Sequence, residues 1–157
     1  MGAYGVGDLG PAIVTIGLYS LLLFYYQQIV GLSGTLTGLA LGIALFFDAV
    51  TDPVVGGLSD RIKGKYGRRH PVMAASAIPI AITFFALFNP PDGLSEIGSF
   101  AWLTVFAILV RTALTFFVIP HLALGAEMAP DYLQRSTLYS FGSLIGGVGG
   151  ALIGFAV

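Results

Sequence analysis

Apolar residues along this chain fall into five long blocks, residues 11–30, 35–58, 71–88, 100–125 and 138–157. Each is near the length of about 20 residues that carries a helix across a hydrocarbon core about 30 Å thick. The blocks are too long and too continuously apolar for strands, so the pattern predicts five transmembrane helices. The connections between them differ in character. Residues 31–34 are short and uncharged, and residues 89–96 (NPPDGLSE) form a turn-rich, acidic loop without Lys or Arg. Residues 59–70 are strongly basic, and residues 127–137 are mixed in charge with one Arg.

Composition strengthens the membrane assignment. The chain is 56% hydrophobic and 10% charged, with a mean hydropathy of +0.89, outside the usual range of soluble domains. Five of its seven Lys and Arg residues lie between Arg61 and Arg69. That clustering reads as a topology signal rather than a nucleic-acid surface. It places residues 59–70 and 127–137 in the cytoplasm, the other two loops outside, and the N-terminus inside. The expected location is therefore the cell (inner) membrane, as a multi-pass protein. Cysteine is absent, which excludes disulfides and thiolate chemistry. Residues 1–10 hold no Lys or Arg, so the first block reads as a retained span rather than a cleaved leader. The last block ends at Val157 without a polar flank, and the expectation is a piece of a longer protein.

Polar residues inside the spans carry the chemistry. Asp48 and Asp52 sit within the second block, where one charge costs at least roughly 2.5–3.5 kcal/mol. Residues four apart on a helix share a face, with Cβ atoms about 5–6 Å apart. The two carboxylates thus point to one place, and Thr51 is near enough to add a hydroxyl. Hard cations favour oxygen ligands, so Asp48 and Asp52 form a candidate Na⁺ site, and a carboxylate pair is equally able to carry a proton. The alternative is a buried ion pair that only orients helices, with Arg111 as the partner. Arg111 is the one basic residue well inside a predicted span. Two aspartates and one arginine leave a single negative charge, which one Na⁺ or H⁺ neutralises. No nucleophile elbow, P-loop or His-Glu-x-x-His signature occurs, so an enzyme is not expected.

The stretch 48–56 (DAVTDPVVG), with 58–61 (LSDR) and 66–71 (YGRRHP), resembles the second helix and following loop of the glycoside–pentoside–hexuronide:cation symporters. These are the melibiose permease branch of the major facilitator superfamily. Residues 119–128 (IPHLALGAEM), with Asp131, Tyr132 and Arg135, are similar to the end of that family's fourth helix. The resemblance implies an all-α membrane protein: five helices of an incomplete six-helix N-terminal bundle, with the C-terminal half absent. It assigns Asp48, Thr51, Asp52 and Thr115 to the coupling-cation site, although Thr51 stands where the family commonly has Asn. It implies a solute and a cation as partners, within a bilayer, and no cofactor beyond Na⁺ or H⁺.

The resemblance fails at the solute. Family members carry charged sugar-binding groups where this chain has Pro11, Ala12, Val118 and Ser143. The remaining polar candidates for a solute lining are Thr15, Tyr19, Thr112 and His121, and His121 beside Pro120 reads equally as a packing residue. The family's loop between helices two and three latches cytoplasmic helix ends. That implies a role here for Asp60, Arg61, Arg68 and Arg69 with Glu127 and Arg135; the bland alternative is a solvated charge run. Glycines every fourth residue (Gly34, Gly38, Gly42; Gly142, Gly146, Gly150, Gly154) predict close helix approaches. Two function classes remain: part of a cation-coupled symporter of a sugar or related small solute, or a non-transporting membrane fragment or scaffold.

Overall fold

A computed structural model of the chain describes residues 2–61, 70–128 and 131–156, and these are helical with short connections. The first span is composite: α1 (Gly2–Ile16), a π-helical stretch Gly17–Leu21, the short α2 (Leu22–Phe24) and a second π-helical stretch Tyr25–Ile29. Four longer helices follow: α3 (Gly34–Arg61), α4 (His70–Leu87), α5 (Glu96–Met128) and α6 (Tyr132–Ala156). Among the described residues, Leu9–Ile29, Gly34–Leu58 and Glu96–Ala126 are long and apolar enough to cross a membrane, and Pro71–Leu87 is a shorter apolar helix. At 33 residues, α5 is about 50 Å long, so it outreaches the hydrocarbon core.

Local chemistry sets the helix boundaries. Gly31 adopts φ +77°, a conformation open to glycine at little cost, and it ends the first span. The Leu32 N–H then bonds back to the Tyr26 carbonyl at 2.8 Å. Ser33 caps α3, its Oγ accepting from the Leu36 N–H at 3.4 Å. Ser95 caps α5 in the same way through the Gly98 N–H at 3.2 Å. Glu96 in the first turn of α5 complements the helix dipole.

The last carbonyls of α4 have no partner within the helix, and inside a bilayer each unmet group costs several kcal/mol. The chain supplies donors from three places. Tyr26 donates to the Leu87 carbonyl at 2.7 Å, Trp102 Nε1 to Ala86 at 3.0 Å, and Asn89 Nδ2 to Phe85 at 2.8 Å. Tyr26 and Leu87 are fully buried, with Leu22, Leu103 and Val110 in the same apolar core. This knot fixes the first span, α4 and α5 together at one end of the bundle.

Helix pairing is selective. α1 packs on α6, α3 on α5, and α4 on α5. The predicted glycine approaches are only partly where the spacing placed them. Gly142 and Gly146 are buried, but a Cβ at Gly38 or Gly42 meets nothing within 4 Å. The closest approaches occur instead at Gly7, where a Cβ would lie 2.7 Å from the His121 ring, and at Gly17, 3.0 Å from Phe84. A four-residue spacing identifies a face without saying what packs on it, and this face of α3 is exposed.

Candidate functional site

Asp48 and Asp52 lie one turn apart on α3, and Arg111 and Thr115 lie one turn apart on α5. The side chains pair in register. Arg111 Nε donates to Asp48 Oδ2 at 2.7 Å, and Arg111 Nη2 contacts the same oxygen. Thr115 Oγ1 lies 2.9 Å from Asp52 Oδ1. Both pairs are separated by 63 residues in sequence, which requires α3 and α5 to run in the same direction. Two spans joined through one intervening helix that returns across the bilayer must do so.

The first span closes the site. Tyr19 sits in the π-helical stretch Gly17–Leu21, a geometry often found at functional positions. Arg111 Nη1 donates to the Tyr19 hydroxyl at 2.7 Å, and the guanidinium carbon lies 5.6 Å from the Tyr19 ring centre, within cation–π range. Arg111 therefore binds an anion on α3 and a phenol on the first span together. The side chains of Arg111 and Asp48 are only 14% and 16% exposed.

Satisfaction of the two carboxylates is incomplete. Both Arg111 contacts fall on Oδ2, and Asp48 Oδ1 is buried without a hydrogen-bond partner. Thr115 has a single hydroxyl proton for two acceptors, Asp52 and the Arg111 carbonyl at 3.1 Å. Pro53 follows Asp52 within α3; lacking an N–H, it leaves the Ala49 carbonyl without its usual helical donor. A cavity of about 160 Å³ opens between these groups, lined by Thr15, Tyr19, Asp48, Asp52, Arg111 and Thr115, with Leu18, Leu114, Val118 and Ile119 as its apolar wall. Oxygen ligands in a confined space suit a hard monovalent cation. Among the described residues, no group of three or more His, Cys, Asp or Glu gathers as a transition-metal site.

The other expected site residues are scattered. Thr51 turns its hydroxyl onto the Asp48 carbonyl of its own helix at 3.4 Å and does not line the cavity. Thr15 and Tyr19 do line it, whereas Thr112 faces a separate apolar groove of about 570 Å³ between α4 and α5. His121 is 4% exposed, stacked on Phe117 and pressed against Gly7, which is a packing position. Of the latch residues, Arg68 and Arg69 lie outside the described residues, as do the side chains of Asp60, Arg61, Glu127 and Arg135. Tyr19 as a partner of Arg111 is what sequence reasoning missed; its signal was one helix-internal tyrosine among several.

Apolar helices long enough to cross a membrane, with an oxygen-lined, charged cavity between them, mark the described residues as part of a membrane protein. The profile of a family described as MFS/sugar transport protein matches residues 3–157. An uncharacterized symporter of Synechocystis sp. is 37% identical over 144 residues, covering 88% of this chain and 26% of its own. The putative glycoside/cation symporter YagG of Escherichia coli is 31% identical over 150 residues, 96% and 32% of the respective chains. A sodium-dependent lysophosphatidylcholine symporter of Danio rerio is 26% identical over 162 residues, 98% and 30%. The chain belongs to the glycoside–pentoside–hexuronide:cation symporter family of the major facilitator superfamily, whose members are transporters. It spans about a quarter to a third of the length of these relatives.

Proposed function

We propose that this chain supplies the cation-binding part of a symporter that moves a sugar or related small solute by alternating access, coupled to Na⁺ or H⁺. The observation that carries the reading is the doubled pairing of Asp48 with Arg111 and Asp52 with Thr115 around one cavity. Two carboxylates opposed by one guanidinium leave a negative charge in a low-dielectric setting, and such a charge is costly unless matched. A monovalent cation between Asp48 and Asp52 matches it. Similarity to a glycoside/cation symporter and to a sodium-dependent symporter supports the coupling.

The solute side is less polar than a galactoside site requires. Carboxylates and guanidinium groups hold hydroxyls through charge-assisted hydrogen bonds. The cavity wall has Val118 with Leu114 and Ile119, and Val118 stands where the family resemblance expects an Asp. The solute therefore presents an apolar face, with Thr15 and Tyr19 meeting its polar groups. A relative named for lysophosphatidylcholine supports the view that this scaffold accepts solutes other than simple sugars.

The experiment is uptake by cells expressing the full reading frame, with a panel of glycosides, hexuronates and lysophospholipids, under imposed Na⁺ or proton gradients. Accumulation of one solute class under one gradient is expected; no gradient-driven accumulation of any would sink the proposal. Vesicles holding residues 1–157 alone give no counterflow on this reading. The proposed orientation, in the inner membrane with the N-terminus and residues 59–70 cytoplasmic, has its own check. A cysteine at Gly93 in intact cells reacts with an impermeant maleimide, and one at Lys65 does not. The opposite labelling pattern would invert the topology.

A further inference from the structure

Arg111 does more at this site than neutralise a charge. Its Nε and Nη2 both fall on one oxygen of Asp48, and its Nη1 reaches across to Tyr19. Asp48 Oδ1 is left buried with no hydrogen-bond partner, while Asp52 is met by the neutral hydroxyl of Thr115. A purely structural bridge would be expected to satisfy both oxygens through the bidentate fork that guanidinium and carboxylate form readily. This arrangement instead holds half of one carboxylate and leaves the other half beside a cavity that both aspartates line.

We propose that Arg111 is a tethered competitor of Na⁺ at Asp48, a built-in cation that must loosen before the mobile one is held between Asp48 and Asp52. The inference rests on the cation-site reading above and deepens it. With Na⁺ absent, the guanidinium supplies the positive charge that Asp48 needs, so the empty site is not driven to capture an ion tightly. Na⁺ arriving between the two carboxylates shares the Asp48 charge and weakens its attraction for Arg111. The freed donors of Arg111 sit beside the Tyr19 hydroxyl on the cavity wall, where a solute oxygen is able to accept them. Solute binding then favours the released Arg111, and by reciprocity raises the affinity for Na⁺ by the same factor. Cation affinity stays low until solute is present, which limits uncoupled leak.

The test is Na⁺ binding to the purified full-length protein, without solute, followed by titration calorimetry. Arg111→Gln removes the competing charge at close range and should tighten Na⁺ binding by roughly tenfold or more. Arg111→Lys keeps a charge but loses the planar reach to Asp48 and Tyr19 together, and should tighten it by a smaller factor. A merely structural arginine would leave affinity unchanged or weaken it in both variants, and that result overturns the proposal. Arg111→Lys keeps the question answerable if Arg111→Gln does not fold. Asp52→Asn in the same titration separates the two readings. If Asp52→Asn abolishes binding and the Arg111 variants do not tighten it, only the competitor role falls. If Asp52→Asn binds Na⁺ like the parent, or neither the parent nor Arg111→Gln binds any, the Na⁺ site falls and the competitor with it.

Discussion

Among the described residues, two polar clusters lie within the apolar bundle, and they are finished differently. At the end of α4, Tyr26, Trp102 and Asn89 give neutral donors to three successive carbonyls. Between α3 and α5, Arg111 and Thr115 meet two carboxylates but leave Asp48 Oδ1 without a hydrogen-bond partner. The first cluster spans the Tyr26 and Leu87 core, where both residues are fully buried. The second opens on a cavity. A satisfied neutral network has nothing to gain from an added ligand and serves as an anchor. An under-satisfied charged one has a low-energy state still to reach, which on the proposed reading a mobile ion would provide.

The largest effect that this contrast predicts is at the carboxylates. Asp52→Asn removes the charge with least competition from Arg111, and gradient-driven accumulation in the full-length protein should fall by more than about tenfold. Solute exchange without a gradient should survive. Accumulation equal to the parent would erase the distinction between the two clusters. Tyr26→Phe should behave oppositely. Losing the donor to the buried Leu87 carbonyl should cost about 1–3 kcal/mol of stability, read as a lower unfolding temperature in detergent. Its Na⁺ dependence should match the parent. A shifted Na⁺ dependence in Tyr26→Phe would mean that the anchor also moves with the cation site.

Much of this was legible in the residues. Continuous apolar blocks demand helices, because only a helix meets its own backbone hydrogen bonds in lipid. Asp48 and Asp52 share a face by their spacing, and an intramembrane Arg111 requires an anion. What spacing cannot carry is register between helices. Nothing in the chain alone states that Asp48 meets Arg111 while Asp52 meets Thr115, because that depends on how α3 and α5 slide against each other. Tyr19 was a weak candidate for the same reason: its approach to Arg111 depends on the π-helical stretch Gly17–Leu21. Gly38 and Gly42 show the converse failure, a strong pattern on a face that no described neighbour meets within 4 Å.

A smaller effect tests whether the neutral half of the charged cluster belongs to the ion site. Thr115→Val keeps the shape and deletes the hydroxyl that lies 2.9 Å from Asp52. Half-saturating Na⁺ for uptake should rise by roughly threefold to tenfold, the net worth of an ordinary intramolecular hydrogen bond. No change would place the ion away from Thr115.

The smallest expected effect is at Thr51, and it is the sharpest test of the boundary between the two kinds of cluster. The family resemblance assigns Thr51 to the cation site, yet its hydroxyl lies 3.4 Å from the Asp48 carbonyl of the same helix. Such a back-bond satisfies the side chain locally, as in the neutral anchor, and holds the oxygen away from the cavity. Thr51→Val should therefore change half-saturating Na⁺ by less than about twofold, since only a long hydrogen bond is lost. Thr51→Asn, which restores the residue type common in the family, extends an amide beyond the reach of the hydroxyl and should tighten Na⁺ binding. If Thr51→Val weakens binding as much as Thr115→Val does, the hydroxyl turns to the ion when the ion arrives. The under-satisfied cluster would then extend one residue further along α3.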